Sequence, residues 1–424
     1  MSISIRLGCI ADDFTGASDA ASFLVKGGMR VLLVNGVPGN EIDTTGYAAI
    51  VVALKTRTMD TALAVKESLE AVEWLKKRGT EQLYFKYCST FDSTPKGNIG
   101  PVADAVLERY HIPYTILCPA LPVNQRTVKD GILYVNGVLL HESPMKNHPL
   151  TPMWDSDIAV LMASQSRYPC MKVSRELLNK TKSEIQKEIR QFASGKEHLY
   201  LIPDFTEEKD AVRIVEVFGK LPLLTGGSGI MEELGRYHAG ENSSGNHVDP
   251  KTKGRGLILA GSCSSATLSQ IRCYLNRGGK AVKIDPAKLL EKSQDVQSLW
   301  EEIESSQNET ILVYSSDEAD EVKKVQQAGG GQISELLEQT TAELAYLAVQ
   351  AGYSRIIVAG GETSGAVTQR LGFDTYQICD SVAPGVPVMI PLSNPSLRLV
   401  LKSGNFGQED FFWRALEMTE QRER

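Results

Sequence analysis

Short runs of β-branched and aliphatic residues alternate along this chain with segments whose apolar positions recur every three to four residues, the form that βαβ units take in sequence. In the first half this pattern predicts strands over Ile5–Ala11, Arg30–Val34, Ala48–Ala53, Gln82–Tyr87 and Tyr114–Leu117. Helices are expected over Gly16–Lys26, Asp60–Lys77 and Asn98–Tyr110. In the second of these, Ala62, Val65, Leu69, Val72 and the aliphatic stem of Lys76 share a face; in the third, Ile99, Val102, Val106 and Tyr110 do. Thr127–Glu142 breaks the rhythm, because apolar and polar residues alternate there around Lys129-Asp130-Gly131 and Asn136-Gly137, two hairpin-type turns. An antiparallel insertion is expected at that point. The alternation resumes with strand Cys170–Val173, helix Glu176–Phe192, and strands Leu199–Ile202 and Leu221–Leu224.

His238–Gly256 holds four glycines and follows neither period, which marks it as a linker. A second series then begins. Strands are expected over Leu257–Ala260, Ala281–Ile284, Ile311–Tyr314, Ile356–Ala359, Val386–Ile390 and Leu397–Leu401, with helices over Ala266–Asn276 and Gln332–Ala351. The last helix carries Ile333, Leu336, Leu337, Leu344 and Leu347 on one side. The expected architecture is α/β: two Rossmann-like domains with mainly parallel sheets facing a cleft, over residues 1–237 and 257–424, joined by 238–256.

Composition narrows the function. The 424 residues are 42% hydrophobic and 23% charged, values of an ordinary globular chain. The formal charge of 45 − 52 = −7 gives no general attraction to nucleic acid or to anionic membranes, so neither is expected as a partner. No apolar run approaches the roughly 18 to 20 residues that span a bilayer, and Met1–Asp13 lacks the layout of a secretion signal, so a cytoplasmic protein is expected. Seven scattered cysteines (9, 88, 118, 170, 263, 273 and 379) form no C-x-x-C pair and read as reduced thiols rather than as a zinc site or a disulfide framework.

Candidate chemistry gathers where strands are expected to end, the place where parallel α/β sheets bind ligands. The stretch Ala11-Asp12-Asp13-Phe14-Thr15-Gly16-Ala17-Ser18-Asp19 follows the first strand. One of its two adjacent acids can cap a helix, which leaves the other for sugar hydroxyls or a proton. Lys86-Tyr87-Cys88-Ser89-Thr90-Phe91-Asp92-Ser93-Thr94-Pro95-Lys96-Gly97-Asn98 concentrates cations, hydroxyls and one acid, suited to a ligand with carboxylate and hydroxyl groups. Arg126, with Asn124 and Gln125, and Lys146, Asn147 and His148 could line the same place. The expected roles are catalysis for Asp12, Asp13 and Asp92, and substrate binding for Lys86, Ser93, Thr94, Lys96, Asn98 and Arg126.

Three glycine-rich loops mark the second half: Ala260–Ser265, Ala359–Gly365 and Lys402–Gly407. Absent side chains let backbone N–H groups approach phosphate oxygens, and a following helix favours the anion. Ser262, Gly360, Gly361, Glu362, Thr363, Ser364, Ser403 and Gly404 are therefore expected to hold nucleotide phosphates. A Walker loop, a dinucleotide fingerprint, a zinc-peptidase H-E-x-x-H and a G-x-S-x-G elbow are all missing, which disfavours a dehydrogenase, a peptidase and an α/β-hydrolase.

Taken together, Ala11–Gly16, Asp92-Ser93-Thr94 with Gly97-Asn98, Thr225-Gly226-Gly227-Ser228-Gly229, Ala260-Gly261-Ser262, Gly360–Gly365 and Lys402–Gly407 resemble, in order and over nearly the whole chain, the four-carbon acid sugar kinase family. Lys86–Thr94 and Asn147–Met153 are similar to its 3-oxo-tetronate branch. Kinases of D-threonate or D-erythronate more often carry Lys and Arg where this chain has Thr90 and Lys96. The resemblance implies an acid-sugar-binding N-terminal domain, an ATP-binding C-terminal domain, ATP with Mg²⁺, and phosphorylation of the C4 hydroxyl of a 3-oxo-tetronate. The alternatives are a D-threonate or D-erythronate 4-kinase, or an acid-sugar sensor without turnover; a homo-oligomer is compatible with each. Metal ligands stay unassigned at this point.

Overall fold

The computed structural model describes residues 4–39, 41–148, 150–239, 248–306, 310–316 and 330–421. Most of the expected linker, 240–247, and Pro149 of the Asn147–Met153 motif lie outside the described residues. The chain divides into two compact units, Met1–Asn246 and His247–Arg424.

Among the described residues of the first unit, eight parallel strands form one layer: β1 (Leu7–Ala11), β2 (Val31–Asn35), β3 (Ala49–Ala53), β4 (Gln82–Lys86), β5 (Tyr114–Cys118), β9 (Cys170–Val173), β10 (Leu199–Pro203) and β11 (Leu223–Gly226). Their order is β2-β3-β1-β4-β11-β5-β10-β9. Every residue of β1, β3, β4 and β10 is buried, as expected of strands covered on both faces, which accounts for their unbroken apolar runs. From β1 the chain turns toward β2 and β3, and from β4 toward β5, so the β1/β4 pair is a switch point of the winding. The helices are α1 (Phe14–Lys26), α2 (Thr61–Lys77), α3 (Ile99–Arg109), α4 (Ile158–Ala163), α5 (Arg175–Leu178), α6 (Lys182–Ala193), α7 (Asp210–Phe218) and α8 (Met231–Ala239).

The antiparallel insertion forms as β6 (Arg126–Lys129), β7 (Ile132–Val135) and β8 (Val138–Leu139), with Asp130, Gly131, Asn136 and Gly137 at positive φ in its two turns. It docks through a reciprocal backbone pair, Val128 with Phe205, and through Asp204, whose carboxylate accepts from the amides of Asp130 and Arg175 at 2.6 and 2.9 Å.

Two helices differ from the sequence expectation. The face that α2 buries is Ala64, Ser68, Ala71, Val72, Trp74 and Leu75, while Ala62 is exposed and Val65 and Leu69 are only half-buried. Leu75 of this buried face packs against Gly8 of β1, while Ala64, Ser68 and Ala71 on it are small, so a reading weighted toward bulky side chains picks the neighbouring stripe. The single helix expected over Glu176–Phe192 is two, because Thr181 starts α6 with a capping box to Glu184.

The second unit has β12 (Gly256–Ala260), β13 (Ala281–Lys283), β14 (Thr310–Tyr314), β15 (Arg355–Ala359), β16 (Thr375–Ala383), β17 (Val386–Pro391) and β18 (Arg398–Lys402) in the order β13-β14-β12-β15-β18-β17-β16. The first five of that order are parallel and β17 and β16 antiparallel. Its helices are α9 (Ser265–Asn276), α10 (Pro286–Leu290), α11 (Val296–Ser305), α12 (Gly330–Gln350), α13 (Gly361–Leu371) and α14 (Phe411–Thr419). Ile258, Leu312, Ile357, Val388 and Val400 from the strands pack with Phe411, Phe412 and Ala415 of α14 in its core.

Candidate functional site

The carboxyl end of β1 pairs with that of β4, Ala11 opposite Lys86, and the amide of Asp12 donates to the Lys86 carbonyl at 3.0 Å. Two sequence-distant clusters are thereby brought together at the switch point. Asp13 is the N-cap of α1: its Oδ1 accepts from the Gly16 amide at 2.7 Å. Asp12 does not cap. It is 3% exposed, and Arg57 grips it with two prongs, Nε to Oδ2 and Nη2 to Oδ1, both 2.9 Å. The same Nη2 stands 3.0 Å from Asp13 Oδ1, so one guanidinium joins both acids. Asp13 Oδ2 is left for other chemistry.

Burial raises the pKa of Asp12 above the usual carboxylate range, although Arg57 and Lys86 pull it down. On Arg57 burial works against the charge, yet the carboxylates of Asp12 and Asp13 outweigh it and raise its pKa well above the ordinary value. The fork-to-fork geometry makes this an ion pair.

Asp92 is buried and accepts from Thr90 Oγ1 at 2.5 Å; the turn that presents it holds Phe91 at φ 51°. Cys88 ties it to the same place: its thiol is pushed up to about 12 by burial and then by Asp92, with Arg57 and Lys86 acting the other way. Lys86 is 3% exposed and donates to the Tyr87 carbonyl at 2.8 Å. Asp12, Asp13, Asp92, Lys86 and Arg57 therefore share one neighbourhood.

The remaining expected sugar-side residues are placed differently. Ser93 donates to Gln165 Oε1 at 3.1 Å, and Thr94 Oγ1 accepts from the Lys96 amide at 3.2 Å in a turn whose Lys96 is exposed. Asn98 is a brace: its Nδ2 donates to the carbonyls of Thr56 and Met59, and its Oδ1 accepts from Thr61 Oγ1 at 2.9 Å. It thus holds the segment that carries Arg57. Arg126, at the start of β6, donates from Nη1 to the Asn124 carbonyl and keeps a buried Nε with no partner. His148 accepts from Thr151 within its own turn. The Gly226, Gly227 and Gly229 backbone runs so close to Cys118–Ala120 that a Cβ at these glycines would come within 2.2 to 2.4 Å of a carbonyl oxygen, so this loop turns the chain against its neighbour.

In the second unit all three glycine loops leave carboxyl ends of adjacent parallel strands, β12, β15 and β18. They are stitched to one another. Gly261 and Ser262 amides donate to the Ala359 carbonyl at 3.1 and 3.2 Å, Gly360 donates to Lys402 at 3.0 Å, and Ser264 Oγ donates to the Gly404 carbonyl at 2.7 Å. Gly360, at φ 137°, starts α13 without a side-chain cap, so the first-turn amides of that helix have no side-chain acceptor. A Cβ at Gly361 would meet no atom within 4 Å. Ser364 Oγ is buried without a partner. This arrangement suits a phosphate group.

Lys402 is 1% exposed and donates to Thr267 Oγ1, Ser403 O and Gly404 O at 3.0, 3.2 and 2.8 Å. Its ammonium therefore clamps the third loop onto α9, and burial lowers its pKa to about 8. In the sequence Lys402 reads as a lysine that could add a cation to the phosphate but is more commonly solvated, so its burial against α9 is not foreseen there. Arg57 also escaped the sequence reading, although its place just beyond the third strand of the sheet was a usable signal.

Comparison with known proteins agrees with this division of labour. The family profile of a sugar-binding N-terminal domain matches residues 7–234, and that of a nucleotide-binding C-terminal domain matches 257–412. A 3-oxo-tetronate kinase of Brucella melitensis is 42% identical over 98% of this chain and 96% of its own length, and one of Haemophilus influenzae is 41% identical over 96% and 98%. Among solved structures, a Salmonella typhimurium LT2 protein carried under a provisional tRNA synthase description matches with TM-score 0.91 and 37% identity, covering 98% of this chain and all of its own. Haemophilus influenzae protein HI1011 matches with TM-score 0.85 and 39% identity, covering 97% and 99%.

Proposed function

The chain belongs to the four-carbon acid sugar kinases, which join a sugar-binding N-terminal domain to a nucleotide-binding C-terminal one, and we propose that it transfers the γ-phosphoryl group of ATP to the C4 hydroxyl of a 3-oxo-tetronate. The observation that carries the kinase reading is the open N-terminus of α13 set among three interlocked glycine loops. ATP phosphates lie on Ser262, Gly360–Ser364 and Ser403-Gly404, where backbone N–H groups offset their charge.

Mg²⁺, bound with the nucleotide, would supply positive charge that offsets its phosphates. Glu362, exposed in the first turn of α13, is the carboxylate of these loops, and the hydroxyls beside it are hard oxygen donors that suit this ion. The acid sugar lies against Asp12, Asp13, Asp92 and Lys86, with Ser93, Thr94, Lys96 and Arg126 toward its periphery and Asn98 holding the Arg57 segment in place. Asp13 takes the C4 proton through Oδ2, since Oδ1 already serves Gly16 and Arg57. The C4 oxygen then bonds to the γ-phosphorus as the bond to the β-phosphate oxygen breaks, and ADP leaves.

A coupled ADP-release screen against 3-oxo-tetronates, D-threonate and D-erythronate tests this reading. Turnover is expected with a 3-oxo-tetronate; turnover with D-threonate alone would reject the substrate while leaving the kinase in place.

A further inference from the structure

One buried acid of the β1–α1 cluster has no task in the reaction just described. Asp19, in the second turn of α1, is 8% exposed. Its Oδ2 accepts a short hydrogen bond from Ser228 Oγ, which comes from the loop after β11, while its Oδ1 is buried with no partner. An unmet carboxylate oxygen in the interior is costly, so its persistence calls for a reason.

Burial raises the Asp19 pKa, and the Lys86 ammonium at the end of β4 is the foremost influence acting against it. Lys86 Nζ lies under the first turn of α1: a Cβ on Gly16 would come within 3.2 Å of it, and Gly16 and Asp19, three residues apart, share a helix face. Lys86 and Asp19 nevertheless form no ion pair among the described residues, and Lys86 spends one N–H on Tyr87 O. The remaining N–H groups of Lys86 and the unpartnered Oδ1 of Asp19 thus lie beneath the same face of α1 without pairing to each other. Asp13, whose side chain is 33% exposed, stands at the solvent side of that spot.

Such a pair of unmet groups matches a ligand that offers an acceptor and a donor on neighbouring atoms. A 3-oxo-tetronate does so: the C3 carbonyl only accepts, and the C2 hydroxyl beside it can donate. We propose that Lys86 and Asp19 form the subsite that recognises the oxo acid, Lys86 donating to the C3 carbonyl oxygen and Asp19 Oδ1 accepting from the C2 hydroxyl, with Ser228 fixing the carboxylate. This rests on the kinase reading above and deepens it, for it assigns substrate choice to Asp19 and gives Lys86 a partner other than the substrate carboxylate. A tetronate with a hydroxyl at C3 can also accept there, but it brings an extra hydrogen against an ammonium that cannot accept one.

Two variants test the subsite, each measured for KM and kcat with 3-oxo-tetronate and D-erythronate, for direct binding of both acids without nucleotide, for ATP affinity and for melting temperature. Asp19→Asn keeps the volume and an acceptor for Ser228 but removes the charge. Its KM for the oxo acid is expected to rise about tenfold to a hundredfold, more than kcat falls, with ATP affinity unchanged. Lys86→Met should erase the preference for the oxo acid over D-erythronate in direct binding. Wild-type KM and binding in Asp19→Asn, or a preserved preference in Lys86→Met, would overturn the proposal and leave the spot to a structural water. Wild-type protein that binds the oxo acid selectively yet transfers no phosphate would overturn the kinase reading while leaving this subsite standing.

Discussion

Replacing Gly361 by valine separates the nucleotide role of the α13 loop from its structural role. Gly361 has no positive φ, and a Cβ built on it meets nothing within 4 Å, so the folded protein accommodates a side chain there. A helix-end substitution of this kind changes stability by no more than about 0.5 kcal/mol. The open space is where a phosphate would lie against the first-turn amides, and a valine would hold it off. One backbone hydrogen bond to a charged oxygen contributes about 1.5 to 3 kcal/mol, which corresponds to about 10- to 150-fold in Kd. Calorimetric titration with MgATP should show a loss of that size while the denaturation midpoint stays put. Gly404→Ala is the contrast: its Cβ would lie 2.3 Å from Ser262 Oγ, so that hydroxyl must turn away and give up its bond from the Ser264 amide, and stability and affinity should fall together. Wild-type ATP affinity in Gly361→Val would remove this helix terminus from the phosphate site.

Two further outcomes follow from the charged groups. Lys402 is held at about 8 against 10.5 in the unfolded chain, so between those values the unfolded chain keeps a proton that the folded one has released, and stability gains from this group as pH rises through that window. Lys402→Met should flatten that part of the pH dependence of melting and weaken ATP binding; an unchanged profile would show that the ammonium does not titrate there. Arg57→Met leaves Asp12 buried without its cation and should cost about 3 to 5 kcal/mol by chemical denaturation, along with acid sugar binding; a smaller loss with normal binding would mean that the pair is dispensable.

The strand set was legible because parallel strands buried on both faces have to be written as unbroken apolar runs, and Leu7–Ala11 or Ile356–Ala359 can hardly be anything else. β16 escaped notice since Thr375–Ala383 is an antiparallel strand with two register shifts and polar residues through its middle. The acids after β1 were visible, but which of them caps the helix and which pairs with Arg57 depends on where a segment 45 residues away is held, and the Asn98 brace and the Arg57 amide bond to the Asp12 carbonyl set that place. Glycine-rich loops announced themselves equally in both halves. Around Gly226–Gly229 they serve close backbone packing, whereas at Gly361 they leave space, and composition cannot tell these apart.

The insertion of β6, β7 and β8 is held beyond the end of β10 by the backbone pair at Val128 and Phe205 and by the Asp204 carboxylate, and by backbone bonds joining Leu133 to Ser156 and Gly131 to Ile158. Among the described residues neither of its turns, at Asp130-Gly131 and Asn136-Gly137, bonds to the β1–β4 ladder. Mutations in these hairpins can therefore accumulate without disturbing the strands that position Asp12 and Lys86. A change in the hairpins would reach Arg126, at the base of the insertion, before it reached Asp12 or Lys86.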